Sequence, residues 1–85
     1  MSWNYRIVRH KDPDGTPSFH VHEAYYDAHG KVYAITHNPV APMGDTPREL
    51  YECLMMMKMS VMKHKERPEK VLDFDAIPEP GAVSP

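Results

Sequence analysis

A single cysteine, Cys53, stands among the 85 residues, so no disulfide can form within the chain. That suits a reducing compartment, where a small domain must hold together by packing. No stretch approaches the roughly 20 apolar residues of a membrane span. The opening run Met1-Ser2-Trp3-Asn4-Tyr5-Arg6 is polar and aromatic, unlike the basic patch and apolar core of a secretory signal. A cytoplasmic location is expected. An excess of either charge sign is missing too. Ten Lys and Arg against twelve Asp and Glu leave a net charge of -2 with His neutral, so nothing in the balance recruits nucleic acid or an anionic membrane. The chain has no Ser-His-Asp order, phosphate loop, CxxC or HExxH motif, so neither an enzyme nor a cofactor is expected.

What is present fits one small globular domain over residues 1–77. The apolar fraction is 41 % and the charged fraction 26 %, ordinary for a folded protein. A chain of this size buries a modest share of its surface and gains stability from a partner.

Residues 3–10 (WNYRIVRH) alternate, with Trp3, Tyr5 and Ile7 on one side and Asn4, Arg6 and Val8 on the other, which predicts a half-buried strand. Residues 11–17 are dense in Pro, Gly and Asp and read as a loop. Residues 18–27 and 31–37 are rich in β-branched and aromatic side chains and flank Asp27-Ala28-His29-Gly30. Asp first and Gly fourth suit a type I turn closed by a left-handed glycine, and so a hairpin. A three-residue loop pairs Asp27 with Lys31, Tyr25 with Tyr33 and Glu23 with Ile35. It sets Phe19, Val21, Tyr25, Tyr33 and Ile35 on one face with Glu23 in its middle. A four-residue loop would mix polar and apolar groups on both faces. After the loop at 38–46, Thr46-Pro47-Arg48-Glu49 reads as a helix start, with Thr46 as N-cap and Glu49 closing a capping box. The helix should reach about Lys65, and Pro68 bars it from going much further. Val71–Phe74 offers a short last strand, and residues 78–85 a disordered tail. The expected fold is α+β: a three-stranded antiparallel sheet packed by one long helix, with a short fourth strand possible (βββαβ).

On a wheel of about 100° per residue, Leu50, Cys53, Leu54, Met57 and Val61 form the stripe expected to pack on the sheet. Tyr51, Met55, Met59 and Met62 form a second apolar arc, and Arg48, Glu49, Glu52, Ser60 and Lys63 the polar remainder. The second arc has three readings. Core continues round the helix under the C-terminal strand and tail; or the arc binds a partner or a second copy, since Met recurs at adaptable surfaces; or its thioethers hold a soft metal such as Cu(I).

Six His is a high count for 85 residues. His20 and His22 share a strand face, and His37 is the obvious third ligand for a Zn or Cu site, which needs three or four. In the preferred register His37 lies on the other face, and His20 and His22 are expected to be solvated. His10, His29 and His64 read as loop and terminus residues. Glu23, set among apolar neighbours, must find a partner such as Arg6, Arg9 or a Tyr hydroxyl or its pKa will rise; it is the centre of the alternative reading as a small ligand-binding domain or enzyme. Cys53 reads as an inert packed thiol.

The order strand–hairpin–loop–helix–short strand, with Gly44-Asp45-Thr46-Pro47-Arg48-Glu49-Leu50 at the helix start, resembles HicB-like antitoxin domains and their G-[DE]-T-x-x-E-[AL] pattern. Trp3-Asn4-Tyr5-Arg6, His22-Glu23-Ala24-Tyr25-Tyr26-Asp27, Gly30-Lys31 and Asn38-Pro39-Val40-Ala41-Pro42 are similar to runs in small bacterial proteins. The resemblance implies a reduced RNase H-like fold without a catalytic carboxylate cluster, protein–protein binding, and possible neutralisation of a toxin.

Overall fold

The alternating run at the N-terminus forms one of the two inner strands of a four-stranded mixed sheet. In the computed structural model, which describes residues 2–77, β1 spans Ser2–Lys11, β2 Pro17–Tyr26, β3 Val32–Ile35 and β4 Leu72–Asp73, and α1 spans Pro47–His64. The order across the sheet is β3-β2-β1-β4. β1 and β2 are antiparallel over their whole length, from Ser2 opposite Tyr26 to Lys11 opposite Pro17. β4 runs parallel to β1, with Val8 opposite Leu72 and Arg9 opposite Asp73. The fold is α+β, with three main strands, one long helix and a short fourth strand. The tail assigned to 78–85 lies outside the described residues.

The β2–β3 hairpin closes as its turn residues dictate. The Asp27 N–H donates to the Lys31 carbonyl at 2.8 Å and the Gly30 N–H to the Asp27 carbonyl at 3.1 Å, while Gly30 takes φ +77°. The Asp27 carboxylate also accepts from the His29 and Lys31 amides. Beyond the turn the register departs from the expected one. Tyr26 faces Val32 as expected, but a bulge then shifts the pairing, so Tyr25 faces Ala34 and Ala24 faces Ile35. One extra residue inverts every side chain beyond it. Ile35 therefore leaves the Glu23 face and is fully buried on the opposite one.

That opposite face holds the core. Val8, Ala24, Ile35 and Ile77 form its buried cluster, flanked by Tyr26, Val32, Leu72 and Phe74. The chain reaches it by passing the β1 edge through a 3-10 turn at Pro68–Lys70, pairing as β4, and laying a second 3-10 turn, Phe74–Ala76, over the sheet. Full burial of Val8, Ile35 and similar side chains contributes about 1.5–3 kcal/mol each. β1 is thus buried on both faces at its middle, through Ile7 and Val8, and not half-buried as its alternation suggests.

The helix lies on the other face. It starts as expected: the Glu49 amide donates to Thr46 Oγ1 at 3.1 Å. The Glu49 carboxylate accepts from the Asp45 amide, one residue before the cap. Gly44 is needed here because its backbone lies against the first helical turn, where a Cβ would come within 2.5 Å of the Leu50 nitrogen.

The packed stripe of α1 differs from the expected one. Met57 and His64 are buried and Cys53, Ser60 and Val61 partly so, whereas Leu50 and Leu54 are 38 % and 47 % exposed. On the wheel this is a rotation of roughly 40° towards Ser60 and His64. The cause is the strand that α1 meets. The Ser60 hydroxyl donates to the Tyr5 carbonyl and the Tyr5 hydroxyl lies 3.5 Å from Cys53 Sγ, so the helix is fastened to β1. Leu50 and Leu54 therefore do not build the core.

Candidate functional site

Three groupings of side chains stand out, and two of them share a wall. The first is an apolar hollow of about 610 Å³ between β1 and the C-terminal half of α1, lined chiefly by Trp3, Tyr5, Met56, Met59 and Met62, with Lys63 and His64 at its border. Trp3 and Tyr5 meet edge to face at 5.2 Å. Burial pushes the Tyr5 hydroxyl up to about 12, helped by its contact with Cys53. Of the four helix residues expected to bind a partner, Tyr51, Met59 and Met62 are exposed, Met59 at 66 %, while Met55 is partly buried. Met56, at 53 % exposure, belongs with them. It lies outside the Tyr51–Met62 arc, on the flank of the helix next to Ser60, so the wheel alone does not group it with that arc.

The second is a basic hollow of about 460 Å³ on the other side of Lys63 and His64, lined by Asn4, Arg6, Tyr26, Arg67 and Lys70 among others. Arg6 is held from two sides, donating to the Tyr26 hydroxyl at 2.8 Å and to the Lys70 carbonyl at 2.5 Å. The Tyr26 hydroxyl in turn donates to Asn4 Oδ1. His64, expected at an exposed terminus, is buried in the last helical turn. Its pKa is lowered, first by burial and then by the cations Arg6, Lys63, Lys70 and Arg67. No sequence signal marks this grouping, because its members are spread from residue 2 to residue 70.

The third is a histidine cluster on the core face. His20 and His22 do share a face of β2, but His22 is fully buried rather than solvated. The third member is His10, opposite Ser18 on β1, and not His37, which lies exposed past the end of β3. His22 Nδ1 sits 2.9 Å from the Thr36 carbonyl. A carbonyl only accepts, so Nδ1 carries the proton and Nε2 is left as an acceptor. His10 Nε2, 2.8 Å away, is then the donor to it. The Thr36 hydroxyl donates to the Asn38 carbonyl at 2.9 Å. Phe74 stacks on the His10 ring at 4.4 Å and His20 meets it edge-on at 4.9 Å. Burial lowers the pKa of His22 most, and burial followed by His20 lowers that of His10. Among the described residues no group of three His, Cys, Asp or Glu side chains is placed to hold a metal ion.

Glu23 is partly buried beside its neighbours, and its partner is a tyrosine: the Tyr25 hydroxyl donates to Glu23 Oε1 at 2.5 Å. Burial and then this bond push the Tyr25 hydroxyl up to about 12. No hollow described above is lined by Glu23. No helix among the described residues is long and apolar enough to cross a membrane. Comparison with known protein families, with curated proteins and with solved structures finds no match for this chain.

Proposed function

We propose that this chain is a non-enzymatic interaction module that pairs with a second copy of itself through the exposed face of α1. The observation that carries the reading is exposure. Trp3, Phe19, Met43, Leu50, Tyr51, Leu54, Met56, Met59 and Met62 are all exposed, and six of these nine lie on α1. An apolar face of this kind on a small domain is the mark of an interaction surface. Charge favours a second copy as the occupant. The N-terminal half of the helix carries Glu49 and Glu52 against one cation, Arg48, with Asp45 just before it, and the C-terminal half carries Lys58 and Lys63, with Lys65 at its C-cap. An antiparallel pair about a two-fold axis lays the acidic half of each helix along the basic half of the other and opposes the two helix dipoles. Flexible methionines at the centre adapt to their own copies. The βββαβ order supports the HicB-like reading, in which such a domain acts by binding protein.

Size-exclusion chromatography with light scattering tests the proposal. The protein is expected to run as a dimer at tens of micromolar, and Met59→Glu with Met62→Glu to convert it to a folded monomer. A monomer for the unaltered chain at that concentration overturns it.

A further inference from the structure

We propose that the basic hollow bounded by Arg6, Lys63, His64, Arg67 and Lys70 is a binding site for the phosphate group of a small phosphate ester. Its composition departs from that of the whole chain. The protein carries a net charge of -2, yet three lysine and arginine side chains besides Arg6 line this one concavity and no carboxylate does. Cations gathered without counter-charge repel one another, and such a grouping is stabilised when an anion occupies it.

The hydrogen-bond inventory points the same way. Arg6 Nε and His64 Nδ1 are buried and have no partner. His64 is only 8 % exposed, so its ring is withdrawn from water without gaining a bond. A buried polar nitrogen left this way costs about 1–3 kcal/mol, and both nitrogens belong to residues that line the same hollow. Arg6 has no ion-pair partner among the described residues; its two bonds are to the neutral Tyr26 hydroxyl and Lys70 carbonyl. These bonds hold the guanidinium in place and leave further N–H donors on it, and a planar fork of donors matches phosphate oxygens. Arg67 pairs with Glu69 at 3.3 Å on the surface. Exposed pairs of this type contribute little, so Arg67 is free to turn to a stronger anion.

Size selects the ligand class. The hollow of about 460 Å³ lies within the range of small-molecule sites and is far larger than one phosphate. It has room for the organic part of an ester beside the shared wall of Lys63 and His64, where the apolar hollow begins. The site is built within one copy of the chain and does not depend on self-association.

The experiment is a titration of the full chain with inorganic phosphate and, separately, with glycerol 3-phosphate, at constant ionic strength, followed by the His64 ring resonances in NMR. Saturable shifts at millimolar ligand are expected, tighter for the ester than for inorganic phosphate, and the His64 pKa should rise when the anion is bound. Arg67→Ala combined with Lys70→Ala should weaken binding at least about tenfold, equivalent to 1.4 kcal/mol. Both residues are exposed, and Arg6 bonds the Lys70 backbone, not its side chain, so this variant keeps the fold. Shifts reproduced by sodium chloride at the same ionic strength, shifts unchanged in the double variant, or no shifts at all overturn the proposal. Binding by inorganic phosphate equal to that by the ester overturns the assignment to an ester. None of these outcomes depends on whether the chain is a dimer.

Discussion

His22 sits where a strand has brought an imidazole into a dry layer, and the consequences are those of a neutral ring. Its Nδ1 proton is committed to Thr36 and its Nε2 lone pair to His10. A second proton on His22 would set two N–H groups against each other. Lowered pKa values at His10, His22 and His64 share a first cause, burial. The sign follows directly. Above the ordinary histidine value of 6.5 both folded and unfolded chains are neutral at these sites, and stability is complete. As pH falls through that value the unfolded chain takes up protons that the folded chain refuses, and stability declines until the lowered values are reached. Each histidine can add a slope of up to about 1.4 kcal/mol per pH unit in that window. Urea midpoints are therefore expected to fall between pH 7.5 and pH 5, and more gently in His22→Leu. Gly44 gives a second residue-scale expectation. Gly44→Ala should cost about 1–3 kcal/mol in urea denaturation, because the added methyl meets backbone of the first helical turn, which cannot move aside cheaply.

Elements show where sequence could and could not be read. The turn at Asp27–Gly30 and the cap at Thr46 are local, carried by residues three or four apart whose side chains or φ angles fix the backbone. They were legible for that reason. The bulge beside Tyr33 was not. Nothing in Val32-Tyr33-Ala34-Ile35 marks an extra residue; the pairing is settled by Ile35 reaching the buried cluster with Val8 and Ala24. The helix stripe was displaced for a related reason. Ser60 and His64 read as polar and terminal in the sequence, although they fall on the Cys53–Met57 side of the wheel, where a β1 carbonyl and a wall of cations receive them. Stability of the isolated domain should report the difference. Met57→Ala is expected to cost about 2–4 kcal/mol, whereas Leu54→Ala should stay within about 0.5 kcal/mol, both measured in the Met59→Glu/Met62→Glu background.

At the scale of the molecule, one sheet separates two kinds of surface. The face carrying Val8, Ala24 and Ile35 is closed by the chain's own segment from Leu72 to Ile77. The helix face is closed chiefly over β1, leaving Phe19, Met56, Met59 and Met62 outside. The histidine cluster lies on the closed side, and the two hollows lie along the β1 edge and α1. Their members are drawn from both ends of the sequence, so only the fold could assemble them. If pairing covers the helix face, the apparent melting temperature should rise with protein concentration, and it should cease to do so in the Met59→Glu/Met62→Glu variant.

The late position of Ile77 also bears on how the chain is made. A ribosome working from the N-terminus produces Val8 and Ala24 long before the segment that will cover them. At 5–20 residues per second, the stretch from Ala24 to Ile77 takes on the order of several seconds to synthesise. Through that interval the nascent strands have nothing to close against, and their apolar face is open to chaperones or to neighbouring chains on the same messenger.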